Sequence, residues 1–324
     1  MDRVASGERR AITHKSLFPR KRTLVSPRLV PVELTQIEHR EETIMTHKTW
    51  FITGVSSGFG LALAKLLLQR GDRVAGTSRQ PNQVDDLKAQ YGKQFWLASL
   101  DLTDTANIRA AVEAAFGHFG HIDVVVNNAG YALIGAAEEV TDDQLLHQLH
   151  TNLLGSMQVI RAALPHLRRQ GEGRIVQMSS IGGQIATPGL SVYHASKWGI
   201  EGFLESIITE VAPFGIQATI VEPGGGRTSI FEASRLVKAP ELDAYQNSPA
   251  RLRTRSLESG SYVPPGDPSK MMQAVIDSVD LVDAPRRLVL GSDAYHGIRT
   301  VLTQRLAALE AQKEIALSTD AELT

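Results

Sequence analysis

Residues 53–60 read Thr-Gly-Val-Ser-Ser-Gly-Phe-Gly, and this stretch decides the fold. It follows the apolar run from Trp50 to Ile52 and precedes a pattern typical of a helix from about Leu61. Glycine has no Cβ, so the chain can turn sharply there and a ligand can approach its backbone. The N-terminus of the following helix offers free N–H groups and partial positive charge to a diphosphate. The stretch therefore predicts a phosphate-binding turn between a first strand and a first helix.

The glycine spacing in this turn is Gly-x-x-x-Gly-x-Gly, which differs from the usual Gly-x-Gly-x-x-Gly dinucleotide pattern. A purely structural turn is the competing interpretation, since glycines between a strand and a helix are common. At the first strand-to-helix turn of a parallel sheet, we favour cofactor binding. The residues expected to contact the cofactor here are Gly54, Ser56, Ser57, Gly58, Phe59 and Gly60.

From Lys48 onward, short apolar runs alternate with stretches of helical periodicity. The predicted strands are Thr49–Thr53, Arg73–Thr77, Phe95–Leu100, Val124–Asn127, Ile175–Met178, Ala218–Val221 and Leu288–Leu290. The predicted helices include Leu61–Arg70, Thr105–Phe119, Thr141–Arg169 and Val192–Ala212. Nearly continuous apolar strands separated by helices are typical of a parallel sheet covered on both faces. The sequence therefore predicts one doubly wound, Rossmann-type α/β domain of about seven strands, spanning residues 45–324.

Composition excludes several classes of protein. The chain has 324 residues, 42% of them hydrophobic, and no cysteine, so a disulfide framework and a thiolate metal site are excluded. The net charge of −1 argues against a general nucleic-acid binder. No apolar run approaches the roughly 18–20 residues that span a bilayer. We expect a soluble cytoplasmic protein without nucleic-acid or membrane-spanning functions.

Residues 1–44 differ from the rest of the chain. They carry nine basic and six acidic side chains, and three prolines interrupt them. A secretory signal is a poor interpretation, because no apolar stretch of 7–15 residues follows the basic start. A mitochondrial-type presequence over residues 3–22 remains an alternative. We favour a disordered N-terminal extension ahead of a native start at Met45.

Side chains at the ends of the next strands indicate which dinucleotide binds. Arg79 follows the second strand, where an acidic residue would bind the ribose 2′-OH of NAD(H). A guanidinium at that position suits a 2′-phosphate, although an ordinary solvated arginine is the alternative. Asp101 and Leu102 follow the third strand, where a carboxylate could reach the adenine amine. The pattern favours NADP(H) over NAD(H).

Two further turns lie at the carboxyl edge of the predicted sheet, where ligands bind in open α/β folds. Asn128, Ala129 and Gly130 form a polar turn after the fourth strand. The sixth strand is followed by the segment 223–228, in which Pro223 and Gly224 would pass close to a flat ring and Thr228 would bind the carboxamide or diphosphate. The turns that follow the third and the fourth strand are each, taken alone, weak evidence for a dinucleotide.

Tyr193 and Lys197 are spaced by four in a predicted helix, so their side chains lie on one face. A phenol with a pKa near ~10 is a poor acid–base catalyst at neutral pH, and a neighbouring ammonium lowers that pKa. Ser180, at the end of the fifth strand, would hold a substrate oxygen beside the phenol, with Ser179 as its rival. Asn152 lies within a predicted helix, where it is either solvent-facing or marks a local break that holds a water.

Taken together, these motifs resemble the short-chain dehydrogenase/reductase family, in its single-domain NAD(P)-dependent form, from about Lys48 to Leu290. The resemblance implies that Tyr193 is the acid or base and that Lys197 lowers its pKa and binds the nicotinamide ribose. It also implies that Ser180 orients the carbonyl and that Asn152 positions a water. No metal is required, and the family generally forms homodimers or homotetramers.

The segment from Ile230 to Pro265 would form a substrate lid. Arg251, Arg253 and Arg255 alternate within it, which favours a solvated rim over selection of an anionic substrate. An apolar pocket would be completed by Tyr131, Leu133, Ile134, Gln184 and Ile185. A helix from Thr300 to about Ile315 carries a leucine stripe, which favours core packing over a partner surface.

The resulting hypothesis is an NADP(H)-dependent carbonyl reductase that interconverts an apolar ketone or aldehyde and its alcohol, with Ser180 and Tyr193 contacting that small molecule. An NAD-linked alcohol dehydrogenase and a catalytically silent dinucleotide-binding regulatory protein are the alternatives. The complete set of Asn152, Ser180, Tyr193 and Lys197 argues against the silent protein, since a binding module needs no acidic phenol.

Overall fold

The computed structural model describes residues 47–228 and 236–321. The extension expected at residues 1–44 and the first part of the expected lid, which includes Phe231, lie outside the described residues. The expectations for those segments therefore stay predictions.

Seven parallel strands form one sheet in the order β3-β2-β1-β4-β6-β7-β9. Their bounds are β1 Thr49–Thr53, β2 Arg73–Ser78, β3 Phe95–Ser99, β4 Val124–Asn127, β6 Gly173–Met178, β7 Ile216–Pro223 and β9 Arg287–Leu290. Every predicted strand is present within a few residues of its predicted bounds. The predicted Rossmann-type α/β fold is confirmed.

Ten α-helices lie within the described parts of the chain. They are α1 Gly58–Arg70, α2 Asp85–Tyr91, α3 Thr105–Phe119, α4 Asp142–Leu149, α5 Gly155–Gln170, α6 Ser191–Val211, α7 Pro249–Glu258, α8 Pro268–Asp280, α9 Ser292–Glu310 and α10 Lys313–Ser318. The prediction of one continuous helix over Thr141–Arg169 is wrong, because a π-helical turn at His150–Leu154 separates α4 from α5.

The sheet separates two apolar layers. Phe51 belongs to the layer formed with α3, α5 and α6, whereas Trp50 and Ile52 belong to the layer formed with α1 and α8. This division follows from the alternation of side chains along a strand. All three side chains are fully buried. The buried Trp50 also donates its indole N–H to Asp72 at 3.1 Å, which pairs its polar atom.

The direction of the strand order reverses at β1, which pairs with β2 on one side and β4 on the other. Ligands of doubly wound folds bind outside the carboxyl ends of the strands at this switch point. There, the Thr53 hydroxyl accepts the backbone N–H groups of Asn128 at 3.0 Å and Ala129 at 3.1 Å. One side chain of β1 thus holds the turn that follows β4.

The described part of the segment expected to form a lid is attached to the body of the protein. A short strand, β8 at Val237–Lys238, pairs with β5 at Leu133–Ile134. Arg251 of α7 is buried and pairs with Glu139 at 2.6 Å and with Glu241. The expectation of a solvated rim is therefore wrong for Arg251, whose charge is neutralised by a buried carboxylate.

Helix α9 contradicts the expectation of core packing. Leu302, Leu306 and Leu309 are 50–63% exposed. The helix is held to the body by Arg305, whose guanidinium lies 4.5 Å from the ring centroid of Trp198 and donates to the carbonyl of Gln184 at 2.8 Å. Among the described residues, no helix is both long and apolar enough to cross a membrane.

Thr53→Val tests the contact between the ends of β1 and β4. The substitution keeps the shape but leaves the N–H groups of Asn128 and Ala129 without their acceptor, so we expect the free energy of unfolding to fall by about 2–4 kcal/mol. Thr49→Val is the matched control, because the Thr49 hydroxyl is buried without a hydrogen-bond partner. Denaturant unfolding of both variants measures the difference, and an equal effect in the two would contradict this assignment.

Candidate active site

The glycine turn after β1 requires its glycines for two different reasons. Gly54 and Gly58 have φ values of +74° and +58°, which favour glycine. Gly60 is needed for space, because a Cβ there would lie 2.1 Å from the carbonyl oxygen of Gly54. The first turn of α1 is thereby packed directly against the end of β1.

The start of α1 has the features expected of an anion site. Ser57 is the N-cap residue, yet its side chain makes no capping hydrogen bond. No acidic residue lies in the first turn of the helix. Since a helix N-terminus carries free N–H groups and partial positive charge, this one fits the diphosphate of a dinucleotide.

Asn128 joins the turn after β4 to the glycine turn. Its side-chain amide donates to the carbonyls of Thr53 at 2.9 Å and Gly54 at 3.0 Å. A Cβ on Gly54 would lie 2.8 Å from the Cβ of Ala129, so the two turns touch. The side-chain N–H groups of Asn128 are therefore used in hydrogen bonds within the protein. Asn128 both holds the two turns together and lines the cavity between them.

Three of the four residues expected to carry the chemistry line one cavity. Ser180, Tyr193 and Lys197 lie there with Phe59 of α1. The other lining residues are Asn128, Gly130, Tyr131, Met178, Ser179, Pro223, Gly224, Gly226 and Thr228. The cavity thus joins the Tyr-Lys helix to three of the turns expected to bind the cofactor.

Within this cavity, the Ser180 hydroxyl interacts with the Tyr193 phenol in the direction that lowers the pKa of the phenol. The Lys197 ammonium lies 5.8 Å from the centroid of the Tyr193 ring and donates to the carbonyl of Met178 at 2.8 Å. Ser180 also accepts the N–H of Gly182 at 3.0 Å, which fixes the start of its loop. The arrangement presents a phenol and a hydroxyl side by side, with an ammonium beside them.

Burial dominates the protonation of both titratable groups. It raises the pKa of Tyr193 above its ordinary value, and the interaction with Ser180 offsets this only in part. The sequence predicted a lowered pKa for this phenol, and that prediction is wrong for the polypeptide by itself. Burial also lowers the pKa of Lys197 to about 8, while the charge of Glu201 acts in the opposite direction.

Asn152 lies in the π-helical turn between α4 and α5, so the local break considered for it is present. Its side chain accepts the N–H of Tyr131 at 3.1 Å and donates to the carbonyl of Tyr131 at 2.8 Å. It also donates to the hydroxyl of Ser196 at 3.3 Å. Asn152 is buried and is not among the residues that line the cavity with Tyr193.

Arg79 lies exposed just beyond β2, and its charge reaches both Asp101 and Tyr131. The Asp101 carboxylate already accepts two hydrogen bonds from a neighbouring residue, the backbone N–H and the hydroxyl of Thr103. These hydrogen bonds keep the pKa of Asp101 below its ordinary value. Leu102 is buried, and a Cβ on Gly155 of α5 would meet its carbonyl at 2.6 Å.

The segment after β7 is fixed by a residue that the sequence did not single out. Asp293 of α9 accepts the N–H of Gly225 at 2.7 Å, and a Cβ on Gly224 would lie 2.1 Å from its carboxylate. Thr228 lies beside Gly58 of the glycine turn. Sequence pattern alone gave no signal for Asp293, because it lies 68 residues from Gly225.

A buried cluster of polar side chains lies behind Lys197. Glu201 of α6 and Glu222 of β7 both accept hydrogen bonds from Gln184 and from Arg287 of β9. Ser179 donates to Glu201 at 2.5 Å. The expected role of Gln184 in an apolar pocket is therefore wrong, because its amide belongs to this cluster.

Comparison with known proteins identifies the family. A model of the short chain dehydrogenase family matches residues 48–238. The chain belongs to the short-chain dehydrogenase family. This short-chain dehydrogenase is 38% identical to oxidoreductase BOA17 of Botryotinia fuckeliana over 272 residues, which cover 84% of this chain and 98% of the relative. Since this family consists of oxidoreductases, the chain is an oxidoreductase.

Two further proteins are similar to this short-chain dehydrogenase. The crystal structure of a short-chain dehydrogenase from Streptomyces avermitilis is 38% identical, has a TM-score of 0.79, and matches 85% of this chain and 99% of its own. A 3-ketodihydrosphingosine reductase of Bacteroides thetaiotaomicron is 39% identical over 181 residues, which cover 56% of this chain and 65% of the relative.

Gly60→Ala tests the packing of the glycine turn. The added methyl group forces the start of α1 away from β1, so we expect the Kd for a nicotinamide dinucleotide to rise on the order of tenfold or more. Gly117→Ala in α3 is the control, because nothing lies within 4 Å of its Cβ position. That control should leave binding unchanged and stabilise the helix by about 0.5–1 kcal/mol. Fluorescence titration measures Kd, and equal binding by the two variants would contradict the proposed packing.

Proposed function

We propose that this short-chain dehydrogenase is an NADP(H)-dependent carbonyl reductase that interconverts a ketone or aldehyde and its alcohol. The observation that carries the proposal is the single cavity lined by Ser180, Tyr193 and Lys197 together with Phe59 and Thr228. A bound nicotinamide would supply or accept the hydride. The chain's own groups must then hold the carbonyl and move one proton, which is what these side chains are suited to do.

In this proposal, Tyr193 protonates the developing alkoxide in reduction and removes the hydroxyl proton in oxidation. Its pKa is raised by burial, so the neutral phenol is the dominant form at neutral pH. The neutral phenol is the form that a proton donor needs. Ser180, which lines the same cavity as Tyr193, would orient the same substrate oxygen beside the phenol.

Lys197 would act on Tyr193 through its charge and bind the ribose next to the nicotinamide. Its ammonium lies beside the tyrosine ring and is anchored by the Met178 carbonyl, so the charge is held in position. Asn152 would keep the π-helical turn open and position the water of a proton relay. Its two hydrogen bonds to Tyr131 support the first of these roles.

The preference for NADP(H) over NAD(H) rests on Arg79. It follows β2 at the position where an acidic residue would favour the ribose 2′-OH. Asp101, the nearby carboxylate, is occupied by Thr103 and leaves the guanidinium open to solvent. A 2′-phosphate suits a guanidinium in this setting because both carry full charge and the arginine can donate two hydrogen bonds.

The proposed substrate is an apolar carbonyl compound. The Bacteroides relative carries a name that denotes reduction of a ketone on a long-chain lipid base. Phe59, Tyr131 and Met178 give the cavity apolar walls on this chain. A homodimer or homotetramer and a cytoplasmic location stay predictions of the sequence.

A panel of aliphatic, aromatic and steroidal ketones, assayed with NADPH and with NADH, tests the proposal. We expect oxidation of NADPH by at least one apolar ketone. Dinucleotide binding without turnover of any panel member would favour a regulatory protein, and a higher kcat/KM with NADH would favour an NAD-linked dehydrogenase.

Tyr193→Phe should lower kcat at least about 100-fold, because the substitution removes the proton donor and keeps the ring. Dinucleotide binding should stay within about twofold, since most contacts with the cofactor are made elsewhere. Tyr295→Phe, at an exposed tyrosine of α9, is the control and should leave both quantities unchanged. A rate near that of the wild type for Tyr193→Phe would overturn the role assigned to the phenol.

Arg79→Asp should lower kcat/KM for NADPH at least about tenfold, which corresponds to the loss of one charge-assisted contact, and should affect NADH much less. Lys93→Asp makes the same change of charge at an exposed site before β3 and serves as the control. Steady-state kinetics with both cofactors measure the ratio. If the ratio is the same in the wild type and Arg79→Asp, Arg79 does not select the cofactor.

A further inference from the structure

Glu201 lies one helical turn beyond Lys197, as Lys197 lies one turn beyond Tyr193. The three side chains therefore share one face of α6. Glu201 is only 3% exposed, so its carboxylate acts in surroundings of low dielectric constant where charges interact strongly. The charge of Glu201 acts on Lys197 in the direction that raises the pKa of that ammonium, against the lowering caused by burial.

The carboxylate of Glu201 is fully engaged. Its Oε1 accepts the hydroxyl of Ser179 at 2.5 Å, and its Oε2 accepts the amide of Gln184 at 2.7 Å and the guanidinium of Arg287 at 2.7 Å. A Cβ on Gly183 would lie 1.7 Å from Oε1, so glycine is required for the carboxylate to reach this position. These contacts brace the loop that begins with Ser180.

Glu222 is the second buried carboxylate of the cluster. Burial, and then the charge of Glu201, raises the pKa of Glu222. Glu201 is the carboxylate closest in sequence to Lys197, one helical turn away on α6. The other charged groups facing Glu201 are Arg287 of β9 and Glu205 on α6, which Arg287 also contacts.

We propose that Glu201 is a positioning residue, which braces the Ser180 loop through Ser179 and supplies the negative charge that keeps the Lys197 ammonium protonated. This inference rests on the proposed function, because it assigns a purpose to that ammonium. It explains why a lysine can remain charged where burial opposes the charge. It also explains why the carboxylate is placed behind Lys197, where it does not line the cavity.

Glu201→Gln is the test, because glutamine keeps the size and one acceptor but removes the charge. Without that charge the pKa of Lys197 must fall further below its ordinary value, so the ammonium loses its proton at a lower pH. We expect the alkaline limb of the kcat profile to move down by at least about half a pH unit, with kcat close to that of the wild type at about pH 6. A role in folding alone would lower kcat at every pH.

Glu205→Gln is the matched control, since Glu205 is exposed and contacts the same arginine. It should leave the profile in place, and Glu201→Asp, which keeps the charge, should lie near the wild type. Equal profiles for Glu201→Gln and the wild type, or an equal shift in Glu205→Gln, would overturn the inference.

NMR of isotope-labelled lysine separates this inference from the proposed function. The pH titration of the Lys197 side chain, assigned with Lys197→Arg, requires no turnover and should move to lower pH in Glu201→Gln. An unmoved titration would overturn the inference even if the protein reduces no ketone. Should Glu201→Gln fail to fold, Ser179→Ala tests the bracing: we expect a lower kcat with an unchanged Kd for NADPH, and an unchanged kcat would reject it.

Discussion

The hydrogen bonds between the ends of β1 and β4 are the contacts on which the rest of the site depends. Thr53 accepts two N–H groups from the turn after β4, and Asn128 of that turn donates back to the carbonyls of Thr53 and Gly54. The two strands are neighbours only because the strand order reverses at β1. The fold thus creates a crevice at this edge, and four hydrogen bonds close its floor.

Burial affects the protonation of the groups around this crevice as strongly as attraction between charges does. A solvated lysine would hold its proton unaided, but Lys197 is 7% exposed and its pKa falls to about 8. The protein offsets this with a carboxylate on the same helix face and balances the pair of buried glutamates with Arg287. Breaking such a buried pair by removing one partner is destabilising, so the cluster connects the loop after β6 with α6, β7 and β9.

Much of the fold could be predicted from the sequence, because apolar runs bounded by glycines report buried parallel strands directly. Gly71 and Gly171 end helices with positive φ values, which is the conformation that glycine adopts most readily at a helix C-terminus. The short strands β5 and β8 could not be predicted, since two residues show no periodicity. Candidate site residues that lie in local motifs could be named from the sequence, whereas the Glu201 cluster is assembled from distant segments and leaves no local pattern. The pKa of Tyr193 depends on burial, which spacing does not report.

The π-helical turn at His150–Leu154 has a consequence for how this helix can vary. Such a turn is equivalent to one residue inserted into a regular helix. Deleting that residue would rotate α4 by about 100° relative to α5. Gln148 would then leave the N–H of Leu133 and the carbonyl of Tyr131, which it binds at 2.7 and 2.9 Å. Insertions and deletions in this segment are therefore tolerated only if they keep the rotation of α4 relative to α5. Point substitutions on its outer surface do not change that rotation.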